Sequence, residues 1–260
     1  MKAFCMNLDR RPDRWAHMRR EAAQAGFELE RIASVDAQKP DVAAAAAEVP
    51  PMANGHRMSA GAFGCFNSHR AAWTAIVESG EPHGMVLEDD MILAPGFGAL
   101  VNGTAWIPAD ADVVKLETWG TRAHVAKAGS AVGGRHLGRL LSSHIGGGCY
   151  ILSAATAKRL LAMTARFSDP VDELLFNETL AFFPTAHIYQ MVPAPAVQGK
   201  RSDSGMAEPE WSEGSIMARF ADGGPTEPGR EGKLERLLRR TREELRKLRL
   251  GSRYDVIRFG

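Results

Sequence analysis

A chain of 260 residues, 45% hydrophobic and 24% charged, has the length and composition of one large globular domain with a sizeable core. Its net charge of +1 excludes nucleic acid as a global electrostatic partner. The charge is uneven: from Arg230 to the end 11 Lys/Arg face 5 Asp/Glu, so the tail carries +6 and the preceding body −5. The three cysteines, Cys5, Cys65 and Cys149, are odd in number, far apart and without a CxxC pair. They read as buried free thiols rather than a disulfide framework or a zinc ribbon. The opening MKAFCMNLDRRPDR turns charged after eight residues, unlike a secretory leader. No stretch approaches the roughly 18 apolar residues that span a bilayer. A reducing, cytoplasmic setting is the expectation.

In chain order, Lys2 to Leu8 reads as a strand. Pro12 suits the first turn of a helix, Trp15, Met18 and Ala22 recur at helical spacing, and Gly26 ends it. Phe27 to Val35 reads as a second strand, giving a strand–helix–strand opening and an α/β fold. Residues 40–57 read as a loop with one helical turn. Ser59 caps a helix to about Ser79, with Phe66, Trp73, Ile76 and Val77 as its buried stripe. Met85–Leu87, Val113–Leu116, Leu137–Leu141, Cys149–Leu152 and Ile188–Val192 read as strands. Ala154–Thr164 and Glu173–Phe182 read as helices. The segment 199–229 reads as loop or lid, and 231–250 is strongly helical. Three divisions follow: 1–203 as the main domain, 204–229 as loop or lid, and 230–260 as a basic amphipathic helical tail.

Five segments carry chemistry. The first, GMVLEDDMIL, ends a buried strand in Glu88, Asp89 and Asp90. Carboxylates there are costly unless used. The carboxyl ends of strands are where open α/β sheets bind ligands. Mg²⁺ or Mn²⁺ takes oxygen ligands and bridges a diphosphate, and Glu88 and Asp90, two apart, can share one target. The alternative is a solvated acidic turn. The second, NLDRRPDRW, places Arg10, Arg11 and Arg14 where a strand gives way to a helix, a junction that favours anions; the alternative is a charged helix face. The third, GAFGCFNSHRAAW, puts Gly61 and Gly64 inside a helix, where they allow close approach. It also sets Ser68 and His69 near the apolar face, as ligand contacts or as satisfied core residues. The fourth, SDPVDELLFN, offers Asp172 or Glu173 as a general base, or a simple helix cap. The fifth, VQGKRSDSG, sets Lys200 and Arg201 beside Ser202 and Asp203, to close over a diphosphate or as solvated loop.

NLDRRPDR, GxxGCxxSH, LEDD, GGGCYILSAATAKRLL and PVDELLF, in this order, resemble the family-25 glycosyltransferases. These are bacterial lipopolysaccharide and lipooligosaccharide sugar transferases related to animal collagen galactosyltransferases. The match runs over about residues 2–203. The resemblance implies a GT-A-like fold, a Rossmann-type sheet flanked by helices, inversion at the anomeric carbon, and a UDP-sugar donor, UDP-galactose by default. It implies nucleotide contacts at Asn7, Asp9, Arg10, Arg11 and Arg14. Gly64, Cys65, Ser68 and His69 match the second motif. Glu88, Asp89 and Asp90 match the acidic motif, with Asp90 as metal ligand helped by Glu88. Pro170 and Asp172 lie on the acceptor side. Ala62 stands where family members often carry glutamate, and Asn67 where an apolar residue is usual. The acceptor implied is a saccharide, free or carried on a lipid.

A nucleotidyltransferase would carry a glycine-rich loop after the first strand, and none is present. A non-catalytic glycan or partner binder has little use for three clustered carboxylates. In the tail, Leu234, Leu238, Leu245 and Leu248 form a seam with Thr241 at the middle step. The seam fits a homodimer contact, and the basic residues around it fit an anionic membrane surface.

Overall fold

The computed structural model describes residues 1–52, 55–199, 241, 244–245, 247–248 and 251–260. The opening apolar run forms β1 (Lys2–Asn7), flanked by two parallel neighbours, β2 (Glu30–Ala33) and β3 (His83–Glu88). Alternate residues of these strands face opposite sides. Phe4, Met6 and Val86 join one apolar cluster, and Ala3, Cys5, Met85 and Leu87 join the other.

Helix α1 (Pro12–Ala25) starts on Pro12 and ends at Gly26, whose φ of 75° lets its N–H return to Ala22 and Ala23. It covers one face of the sheet with α4 (Phe97–Asn102). The other face is covered by α3 (Ala60–Glu78), α5 (Ala154–Met163) and α6 (Val171–Phe176). The Ser59 side chain caps α3 by accepting from Ala62 N. Phe66, Trp73 and Ile76 are buried as the spacing predicts, whereas Val77 turns outward.

The large sheet runs β12-β7-β8-β10-β5-β9-β3-β1-β2. Here β5 is Val113–Lys115, β7 Arg122–Val132, β8 Arg135–Leu140, β9 Cys149–Ser153, β10 Ile188–Val192 and β12 Ser252–Val256. The sheet is mixed: β1 is parallel to β2 and β3, and β5 to β10, while β9 lies antiparallel between β3 and β5, and β8, β7 and β12 continue antiparallel beyond β10. A three-stranded sheet, β4 (Met91–Leu93), β11 (Ala196–Gln198) and β6 (Glu117–Thr118), sits beyond the carboxyl ends of β3 and β5. The fold class is thus the expected α/β sheet flanked by helices.

Local corrections have physical causes. Residues 40–47 form a helix, α2 (Pro40–Ala47), nucleated by Pro40 and sustained by alanines. The second strand shortens to Glu30–Ala33. Helix α6 stops at Phe176 because Asn177 turns to extended backbone while its side chain bonds Glu173. The basic helical tail does not reach the end of the chain, because β12 pairs antiparallel with β7 and Ile257 is buried in the core. Of 231–250, the described residues 241, 244–245 and 247–248 are helical, and Leu245 and Leu248 are exposed.

Candidate active site

The carboxyl ends of β1, β3 and β5 and the start of β9 lie along one edge. Met6 faces Glu88, Leu87 faces Cys149, and Lys115 faces Tyr150. Every residue just past these positions is therefore delivered to the same place, the usual ligand edge of an open α/β sheet.

Asp89 and Asp90 are buried beyond the end of β3. Arg14, one turn into α1, reaches back to them, with Nη1 at 2.9 Å from Asp89 Oδ1 and 3.7 Å from Asp90 Oδ2. Asn7 Nδ2 donates to Asp89 Oδ2 at 2.8 Å. Asp89 is thus tied to the first strand and first helix. Asp90 Oδ1 is buried without a hydrogen bond. Burial, then the neighbouring Glu88, pushes the Asp90 carboxyl up to about 7. Burial, then Asp172 and Asp89, pushes Glu88 to about 7 as well. Asp90, with a raised carboxyl, an orphaned oxygen and a shared guanidinium, offers oxygen chemistry of the kind a hard divalent cation takes, but among the described residues the EDD triplet does not converge as a three-ligand cluster.

The three arginines of the first motif each meet a carboxylate. Arg14 turns inward to Asp89, Arg10 pairs with Asp36 at 2.9 Å, and Arg11 with Asp13 at 2.7 Å. Asp9 is held by Arg31, whose Nη2 lies 2.6 Å away while its Nε donates to Asn7 Oδ1 at 2.9 Å. Arg31 carries no motif signal, because its role depends on β2 lying beside β1.

On α3, Ser68 donates to Gly64 O at 2.8 Å and accepts from Val35 N at 2.9 Å. It latches the helix to the β2–α2 connection at the point where a side chain on Gly64 would strike Val35 O. His69 is fully buried; Nδ1 pairs with Tyr150 OH at 2.8 Å and Nε2 lies 3.6 Å from Glu88 Oε1. Burial holds this imidazole down at about 4, against the opposing pull of Asp172, so it is neutral near pH 7. Cys65, one turn earlier, bonds Glu88 Oε1 at 3.9 Å, and Gln198 Nε2 donates to Glu88 Oε2 at 3.2 Å.

Asp172 lies at the start of α6, and its charge acts on Glu88, His69, Lys115 and Glu117. It faces Gly147, where an added Cβ would sit 3.6 Å from both Asp172 Cβ and His69 Cε1. Glu173 turns elsewhere and accepts from Asn177 Nδ2 at 2.7 Å. Lys200, Ser202 and Asp203 lie outside the described residues, but the preceding Gly199 donates its N–H to Asp90 O at 2.8 Å.

Sequence reading misses Lys115 and Glu117, both fully buried at this edge and 3.5 Å apart. Lys115 also donates to Gly146 O and lies 4.1 Å over the Phe176 ring. Burial pushes the Lys115 ammonium down and the Glu117 carboxyl up to about 7.

Residues 1–175 match the family described as Glycosyltransferase family 25 (LPS biosynthesis protein). A lacto-N-neotetraose biosynthesis glycosyltransferase LgtB of Neisseria gonorrhoeae is 31% identical over 144 residues, 51% of this chain and 52% of that protein. Its counterpart from Neisseria meningitidis serogroup B is 31% identical over 147 residues, covering 52% and 53%. The chain therefore spans about half the length of the curated relatives it matches. A solved structure, HddC from Yersinia pseudotuberculosis, aligns over 73% of this chain and 69% of its own, at 11% identity and a TM-score of 0.32.

Proposed function

The chain belongs to glycosyltransferase family 25, and on that premise we propose that it transfers a hexose, galactose by default, from a UDP-sugar to a saccharide acceptor with inversion at the anomeric carbon. The observation that carries the reading is the acidic end of β3, where Glu88 and Asp90 have carboxyls raised to about 7 and Asp90 Oδ1 lacks a partner. A divalent cation, Mn²⁺ or Mg²⁺, held by Asp90 and Glu88 would neutralise charge on the leaving diphosphate.

The residues of the chain supply the rest. Arg14 holds Asp89 and Asp90 in place from α1. Asn7 and Arg31 fix the end of β1, and in this reading the nucleotide lies beside it. Asp172, across Gly147 from His69, takes the proton from the acceptor hydroxyl as that oxygen attacks the sugar. Glu173, bonded to Asn177, serves instead to close α6.

The acceptor is placed on a bacterial surface glycan, which the family description and the printed names of the relatives support. No helix among the described residues is long and apolar enough to cross a membrane. The basic stretch 231–250 docks on the anionic cytoplasmic face, where a lipid-linked acceptor is met. Full-length protein should then sediment with anionic vesicles at low salt and leave them at high salt. Co-sedimentation unaffected by salt would exclude this electrostatic docking.

The test of the donor site is Asp90→Asn. Mn²⁺-dependent transfer from UDP-galactose should fall about 10²–10³-fold, the typical effect of deleting one preorganised electrostatic group. The melting temperature should hold or rise, because a buried, under-compensated carboxylate has been removed. Full activity of the variant, or transfer undiminished by excess EDTA, would refute the reading.

A further inference from the structure

Glu88 Oε2 accepts from Gln198, and Glu88 Oε1 is turned toward a different donor set. That set is a thiol and an imidazole from one face of α3, four residues apart and so one turn from each other. Cys65 Sγ lies 3.9 Å and His69 Nε2 3.6 Å from the same oxygen, Glu88 Oε1. Sulfur, nitrogen and oxygen ligand atoms of the three residues all lie within 4.8 Å of one another.

We propose that Cys65, His69 and Glu88 form a binding site for a thiophilic divalent transition metal, with Zn²⁺ as its natural probe. Tetrahedral zinc with bonds of about 2.3 Å to sulfur and about 2.0–2.2 Å to nitrogen and oxygen sets its ligand atoms roughly 3.3–3.6 Å apart. The two separations to Glu88 Oε1, 3.9 and 3.6 Å, lie within a few tenths of an ångström of that requirement, and the sulfur–nitrogen pair, within 4.8 Å, closes by side-chain rotation. His69 Nε2 is fully buried, makes no hydrogen bond and lies 3.6 Å from Glu88 Oε1, the orientation a ligand nitrogen requires. Its other nitrogen is fixed by Tyr150 OH at 2.8 Å, and that hydroxyl accepts from Trp73 Nε1 at 2.7 Å. Such a hydrogen-bonded neighbour is what orients a metal-binding imidazole. The ligands come from the middle of a capped helix and the end of a central strand, so the cage is largely formed before any ion arrives.

Donor chemistry divides the ions. Thiolate and imidazole select zinc and its thiophilic neighbours, whereas carboxylate oxygens suit Mg²⁺ and Mn²⁺. Three protein ligands leave a fourth position open. Binding releases the Cys65 proton to solvent, so affinity rises with pH. The site meets the proposed donor-cation site at Glu88, which both use, and Cys65 and Asp90 are the residues that tell the two apart.

Co²⁺ makes the site visible. Full-length protein without a histidine tag, stripped with chelator and titrated anaerobically, should bind one equivalent of Co²⁺. It should show a thiolate-to-cobalt charge-transfer band that Zn²⁺ abolishes. Cys65→Ser should lose the band and weaken Zn²⁺ binding more than about 100-fold, beyond the effect of losing a neighbour of a ligand. Asp90→Asn should keep the band, which separates this site from the donor-cation site. A wild-type protein without the band, or a band that survives Cys65→Ser, overturns the proposal. A second readout needs no variant: Zn²⁺ should slow alkylation of Cys65 by iodoacetamide, followed by peptide mass, and an unchanged rate also overturns it.

Discussion

At the carboxyl edge of the sheet two buried charged groups lie close together and are balanced in opposite ways. The end of β3 gathers Glu88, Asp89 and Asp90 and receives one guanidinium, Arg14, which reaches Asp89 and Asp90. The end of β5 holds Lys115 against Glu117 with no side-chain atom of either exposed. The first group is short of positive charge, and Glu88 and Asp90 have carboxyls raised to about 7. The second carries its own cation, further held by Gly146 O and the Phe176 ring. Glu117 is raised to about 7 as well and both its oxygens lack a hydrogen bond, so what separates the two groups is the ammonium 3.5 Å away, and under the proposed function it is the group without one that takes a cation. Asp172, whose charge acts on both groups, stands at their junction.

The largest expected effect lies at that junction. Asp172→Asn should lower the transfer rate about 10²–10⁴-fold, the usual consequence of losing a positioned base. UDP affinity should stay nearly unchanged. Glu173→Gln should leave the rate within a few-fold, since Glu173 is bonded to Asn177. Steady-state kinetics of both variants decide the matter: a rise confined to the acceptor KM makes Asp172 a binding residue, and a large loss in Glu173→Gln moves the base to the neighbour.

The second prediction tests the self-balanced pair. Lys115→Met strands the buried Glu117 carboxylate and should cost roughly 3–5 kcal/mol in urea unfolding. Lys115→Met combined with Glu117→Gln should recover most of that loss, because the uncompensated charge is gone. A double variant as unstable as the single one would show that Lys115 matters for packing over Phe176 rather than for charge.

The two regions also differ in how far the sequence reveals them. The acidic end of β3 is legible because its residues are contiguous and follow a short apolar run. Cys65 and His69 declare their common helix face through spacing alone, but that Glu88 joins them depends on how α3 lies over the sheet. Lys115 and Glu117 alternate with Val114 and Leu116, a pattern that ordinarily sets charges toward water. Their burial depends on the remote glycines: a Cβ at Gly146 or Gly148 would collide with the Glu117 carboxylate. No local pattern encodes that vacancy. β12 is hidden for a related reason. Its residues are mostly exposed on an edge, so SRYDV shows no buried alternation, and only pairing with β7 makes it a strand. The elements β1, α1, α3, β3 and β9 are legible because they are buried and their caps and turn glycines are local.

The smallest effect concerns the layer beneath the self-balanced pair. His144 is buried, its Nδ1 pairs with Gln190 Oε1 at 3.1 Å, and Gln190 Nε2 donates to Glu117 O at 3.3 Å. Burial first, then the Lys115 charge, lowers this imidazole from 6.5 to about 3. The unfolded chain therefore binds a proton between about pH 6.5 and 3 that the folded chain refuses. The stability from keeping His144 neutral is complete above the unfolded value and is lost as pH falls through that window, at up to about 1.4 kcal/mol per pH unit. Glu88, Asp90 and Glu117 act in the opposite sense, because raised carboxyls lose stability as pH rises toward about 7. A single pH curve for the wild type mixes the two. The difference between wild type and His144→Gln, which keeps a donor for Gln190, isolates the histidine. Urea unfolding of both proteins from pH 7 to 5 should show the variant gaining on the wild type with each step of acidification. Parallel curves would mean that His144 titrates normally and that the region around Lys115 tolerates added positive charge, which would erase the contrast with the end of β3.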